Sequence, residues 1–135
     1  MKYFALLLLA AVWPAQAFQA QSGAWDWTHQ ITWPDDREGY TDKERICIAP
    51  AESADYPRAQ MQAIEADGCT VSQFKQTGDT ASFRAVCPDM RFNIRYEKQS
   101  ATAIRLTQNM HTAKGKTYQA DGIMTYIPSA SCTQP

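Results

Sequence analysis

Four cysteines downstream of an export-type leader limit what this chain can fold into. Lys2 supplies a short positive start, residues 4–13 are apolar, and Pro14 ends the run. Ala15-Gln16-Ala17 then offers the small residues behind which a signal peptidase cuts. The apolar run is about half the roughly 20 residues that cross a bilayer, so no membrane span is expected. No cysteine lies near the cut to accept a lipid. The expected mature chain begins at Phe18 and works outside the cytoplasm.

Removing residues 1–17 leaves one domain over residues 18–135, enough for a single core. Only Lys2 is lost from the charged set, so twelve basic residues face fourteen acidic ones. A nucleic-acid partner would need a clustered basic face, and a membrane-surface module a polybasic one. Neither is expected.

Cys47, Cys69, Cys87 and Cys132 are even in number, widely spread and free of any C-x-x-C pair. Redox-active thiols and zinc sites usually carry that close pair, so two structural disulfides are expected in an oxidising compartment. Three connectivities are possible, and the strand pattern bears on them.

Beyond the leader the chain alternates as strands do. Residues 24–33 put Trp25, Trp27, Ile31 and Trp33 on one face, with His29 among them, and Asp26, Thr28, Gln30 and Thr32 on the other. A second strand is expected over 41–48, and others over 69–76, 80–87, 90–98, 102–112 and 116–127. Residues 50–66 are the one expected helix, capped by Asp55, with a thin apolar stripe of Tyr56, Met61 and Ile64 and with Gly68 after its end. The expected fold is mainly β, a single antiparallel curved meander or half-open barrel carrying one short α-helix.

Register is readable at two hairpins. A three-residue loop Ala113-Lys114-Gly115 would set Met110 opposite Tyr118 and Ile104 opposite Met124, matching apolar faces. If Gln76 pairs with Thr80 around Thr77-Gly78-Asp79, Cys69 lies opposite Cys87, within bridging distance. A two-residue Gly78-Asp79 turn competes and would place the two cysteines on opposite faces. Cys69–Cys87 leaves Cys47–Cys132 by elimination.

Several features together resemble a known family. They are an N-terminal tryptophan near a cleaved signal, the Cys-x-Ala-Pro-x-Glu run from Cys47 to Glu52, Asp67-Gly68-Cys69, a hairpin with Gly78 leading to Cys87, and a lone terminal Cys132. The chain resembles the small exported bacterial proteins grouped as domain of unknown function family 3617. Ala49 stands where that pattern suggests a threonine-like helix opener. The resemblance implies the periplasm of a Gram-negative bacterium and implies no catalytic residues.

The residues themselves assemble no catalytic constellation. There are two histidines, His29 and His111, and no G-x-S-x-G element. Asp35-Asp36 and Glu65/Asp67 lie beside turns, where carboxylates serve solvation and capping. Met90, Met110, Met124 and His111 invite a copper reading, yet Met110 and Met124 share an apolar face while His111 points away, so core packing is favoured. No metal and no cofactor is expected. The candidate binding residues are Trp25, Trp27, Trp33 and Tyr126, either as the filled core of a curved sheet or as the lining of a small apolar cavity. The functional expectation is a monomeric, non-enzymatic envelope module that captures an apolar or amphipathic small molecule. One rival is an envelope protein partner met or inhibited at a strand edge or at the hairpin tip bearing Lys114 and Lys116; another is an enzyme, a hydrolase for example, whose site the sequence does not advertise.

Overall fold

The computed structural model describes residues 17–35 and 38–132. The leader over residues 1–16 and Asp36 of the acidic pair lie outside the described residues. Seven strands form one antiparallel sheet: β1 (Gly23–Thr32), β2 (Tyr40–Ile48), β3 (Thr70–Thr77), β4 (Thr80–Val86), β5 (Met90–Ser100), β6 (Ala103–Thr112) and β7 (Thr117–Tyr126). Their order is β2-β1-β7-β6-β5-β4-β3. A meander thus runs from β3 to β7, and the N-terminal hairpin is added beside β7. The sheet stays open, with β2 and β3 as its edges.

That order fixes where the helix must go. The chain leaves β2 at one edge and re-enters at β3 on the other, some 29 Å away if the sheet were flat. A 3-10 segment, Pro50–Asp55, runs directly into α1 (Tyr56–Ala66), and together they carry the crossing over the apolar face. Tyr56 and Pro57 are buried, and Met61 and Ile64 pack against the core. Asp55 occupies the cap position, but its side chain makes no capping hydrogen bond. It instead accepts from Arg58 Nε at 3.2 Å. At the start of the 3-10 segment, Glu52 reaches back to accept from the Ala49 N–H at 3.4 Å.

The alternation seen in the sequence becomes a two-faced sheet. Trp25 pairs with Tyr126 and Ile104 with Met124. Leu106 pairs with Tyr96 and Ile94 with Phe83. These side chains form one continuous core, each worth about 1.5–3 kcal/mol when fully buried. The outer face carries ion pairs instead. Asp26 takes Arg45 Nε at 2.6 Å and Lys43 at 3.3 Å. Asp121 accepts from Arg105 Nε at 3.0 Å, Arg105 Nη2 at 2.7 Å and Thr107 at 2.9 Å.

The last hairpin has the expected register, with Met110 opposite Tyr118 and Gly115 in the left-handed region at φ 79°. The β3–β4 hairpin corrects the expectation. Gln76 does not pair with Thr80; Thr77 does, through the two-residue turn, and Gln76 faces Ala81. Continued unbroken, that register would miss the cysteines by one residue. A bulge between Ser72 and Lys75, with Gln73 at φ 57°, absorbs the difference, so that Thr70 meets Val86 and the next residues outward form Cys69–Cys87. The bulge also lets Val71 and Phe74, three residues apart, both reach the core. The second bridge is Cys47–Cys132, tying the C-terminal tail to β2.

One core element has no counterpart in the strand pattern. Phe18 is 1% exposed and Ala20 is buried with it. The Phe18 carbonyl accepts from the Tyr56 N–H at 3.0 Å, and the Ala20 N–H donates to Ser53 at 3.0 Å. An N-terminal arm thus clamps the start of α1, with the Phe18 ring edge-on to Tyr96 at 6.3 Å.

Candidate functional site

A cavity of about 400 Å³ lies between α1 and the apolar face of the sheet. Tyr56, Gln60 and Ile64, four residues apart, present one stripe of α1 to it. The facing wall is Trp27 of β1, Ile46 and Glu44 of β2, Leu106, Gln108 and Met110 of β6, and Phe92, Ile94 and Tyr96 of β5. Sheet interiors are normally close-packed, and the size falls in the range of small-molecule sites.

Three of these residues break the pattern that builds the fold. Gln60 interrupts the stripe between Tyr56 and Ile64. Gln108 interrupts the apolar face of β6 between Leu106 and Met110. Glu44 follows Ile48 and Ile46 on the inward register of β2, opposite Trp27. Gln60 and Gln108 sit half-buried where packing alone calls for an apolar side chain, Glu44 is exposed at the rim on the edge strand, and all three border the same cavity. Local rules are broken most often where a site is built.

Trp27 adds a buried donor. It is 3% exposed, and its Nε1–H finds no acceptor among the described residues. An unsatisfied donor of this kind costs about 1–3 kcal/mol and calls for an explanation. Its ring stacks on His29 at 3.8 Å, and His29 Nδ1 lies 3.3 Å from the Trp27 carbonyl oxygen. Tyr56 and Tyr96 meet edge to face at 5.6 Å. Burial pushes the Tyr56 phenol well above its ordinary value, helped by the negative charges of Glu52 and Glu44. Burial does the same to Tyr96, with Tyr56 adding to it. Both phenols are uncharged O–H groups at physiological pH, as tyrosines ordinarily are.

The four candidate residues separate along their strands. Trp25 is fully buried; its Nε1–H donates to the Gln21 carbonyl at 2.9 Å and its ring packs on Tyr126 at 5.4 Å. These two close one end of the core. Trp33 lies beyond β1 against Tyr118 at 5.1 Å, beside a separate hollow. Trp27 alone of the four lines the cavity under α1. Sequence reasoning did not single out Gln60, Gln108, Glu44, Phe92 or Tyr96. The gap at Gln108 in an otherwise apolar row was the readable signal.

Of the copper candidates, Met90 and His111 border a hollow between the β4–β5 turn and the β6–β7 hairpin. Met110 lines the cavity under α1, and Met124 is fully buried. His111 engages Thr117 Oγ1 at 3.0 Å. Among the described residues no three of His, Cys, Asp and Glu converge as a metal site would require. Also among them, no helix is long and apolar enough to cross a membrane.

The cysteine pairing and the strand order can now be set beside known proteins. A family model described as a protein of unknown function (DUF3617) matches residues 20–132. The chain belongs to this family. The match spans both disulfides, α1 and all seven strands, so the cavity lies within the shared domain. No curated protein and no solved structure matches the chain significantly.

Proposed function

We propose that this family member is a non-enzymatic binding module of the bacterial periplasm that captures an apolar or amphipathic small molecule under α1. The observation that carries the reading is the convergence of Gln60, Gln108 and Glu44 on one otherwise apolar cavity. A merely structural interior would gain from leucine at Gln60 and Gln108, because each polar group brought out of water needs a partner, and Glu44 adds a charge at the rim. The export-type leader and two disulfides support an oxidising compartment.

Strand addition draws less support. β2 carries Asp42, Lys43, Glu44 and Arg45 in succession, and β3 is bulged at Gln73. Charges and bulges are devices that discourage pairing at sheet edges.

Native mass spectrometry of protein recovered from the periplasm tests the reading. The expected result is the mature mass starting at Phe18, together with a population carrying a small organic adduct that dissociates on activation. Bare protein, joined to failure of every apolar probe in ligand-observed NMR, would remove the small-molecule reading. Recovery of the uncleaved chain in the membrane fraction would remove the periplasmic one.

A further inference from the structure

We infer that the ligand is an uncharged amphiphile whose acceptor oxygen, a carbonyl or ester, meets the Trp27 indole N–H; this rests on the capture reading above. The groups bordering the cavity are rich in donors. Trp27 Nε1–H is buried and has no acceptor among the described residues. Tyr56 and Tyr96, both buried, border it with phenol O–H groups that are protonated at neutral pH. An occupant that brings oxygen acceptors on an apolar body complements both the donors and the walls.

Charge narrows the class further. Glu44 and Arg45 are the two ionic residues bordering the cavity. Arg45 is not available to an occupant, because its Nε lies 2.6 Å from Asp26 on the opposite face of the sheet. Lys43 is drawn to the same carboxylate at 3.3 Å. Glu44 makes no ion pair among the described residues and is the anion at the rim. A fatty acid or a phosphate-headed lipid entering there would meet a like charge and find no counter-ion, and a desolvated anion without one is strongly disfavoured. Gln60 and Gln108 offer both donors and acceptors, which suits hydroxyls on a neutral head group.

The test compares 1-decanoylglycerol with decanoate, each below its aggregation concentration at pH 8, on the mature chain labelled at its indole nitrogens. The neutral ester should shift the Trp27 indole resonance while leaving Trp25, already bonded to Gln21, in place. Decanoate should bind more weakly, by roughly tenfold or more. Trp27→Phe keeps an aromatic ring without the N–H and should weaken the ester roughly two- to tenfold. Glu44 is exposed on an edge strand, so Glu44→Lys is safe for folding and should turn the preference toward decanoate.

Decanoate binding as tightly as the ester, or no change of preference in Glu44→Lys, would overturn the assignment of ligand class. An ester that binds but perturbs Trp33 in place of Trp27 would overturn the role of the Trp27 indole. If neither amphiphile, nor any other apolar probe, perturbs the cavity residues, the capture reading itself fails.

Discussion

Replacing Gly122 by alanine should unfold much of this domain. Gly122 sits in β7 between His29 of β1 and Leu106 of β6. A Cβ built there would lie 2.5 Å from the His29 Cα and closer still to the Thr28 carbonyl oxygen. Carbon atoms rest about 3.5–4.0 Å apart, so β1 and β7 would have to part by roughly 1 Å. Ladder hydrogen bonds near 2.9 Å stretched by that amount cease to be hydrogen bonds. Overpacking of side chains typically costs about 1–3 kcal/mol because side chains can move aside. Here the obstacle is backbone, and relief comes only by opening the ladder that joins the N-terminal hairpin to the rest. A loss above about 4 kcal/mol is expected, against a total stability of roughly 5–15 kcal/mol for a domain of this kind. Urea unfolding of the mature protein followed by far-ultraviolet circular dichroism measures it. Gly68→Ala is the control: its φ of 97° is unfavourable for alanine, yet no atom lies near the added carbon, so about 1–2 kcal/mol is expected. A Gly122→Ala protein losing no more than its Gly68→Ala counterpart would refute the close-approach argument.

Three further perturbations follow from the packing and the charges. Phe18→Ala should cost about 3–5 kcal/mol as a buried aromatic truncation, measured by thermal melting with and without the substitution; a loss below about 1 kcal/mol would show that the arm is not part of the core. Replacing Cys47 and Cys132 together by serine should lower stability by about 4–5 kcal/mol, and replacing Cys69 and Cys87 by about 3, because the first pair closes the longer loop. Equal losses, or the reverse order in urea titrations, would count against the loop-length account. Hydrogen bonds from Arg45 and Arg105 hold the Asp26 and Asp121 carboxyls below their ordinary values. The stability they add is complete above about pH 3.9, the unfolded value, and is lost as pH falls through the lower folded values. An acid titration should show Asp121→Asn losing stability less steeply than the parent below pH 4, and parallel curves would contradict the assignment.

Much of the sheet was legible because alternation with a period of two reports which face a residue joins. The Cys69–Cys87 pair was reached through a Gln76–Thr80 pairing that the strands do not make, whereas the β6–β7 register came from that signal and from turn chemistry. The β3–β4 register did not, since the bulge at Gln73 breaks the period and replaces a turn residue with an extra strand residue. The same limit applies to the tryptophans. Periodicity puts Trp25, Trp27 and Trp33 on one face, but which of them meets the cavity depends on where α1 crosses, and that depends on strand order. Phe18 was read only as the first residue after a cut. Its burial follows from contacts with Tyr96 and the start of α1, which no local pattern encodes.

The strand order also sets a timetable. β3 to β7 can each find a partner in the strand made just before or after it, so five of the seven strands can zip locally. β1 is finished early but has only β2 beside it until β7 arrives, some ninety residues later in the chain. Non-local pairings of this kind are slow and leave strand edges open while they wait. An isolated hairpin is marginal in water, so β1 and its two tryptophans are held without their final partner until the rest of the chain has been made. Cys47, at the end of β2, keeps an unpartnered thiol for the same interval, until Cys132 follows β7 into place. The last bond to form is therefore the one that locks β2 to the segment following β7, after both strands have met β1.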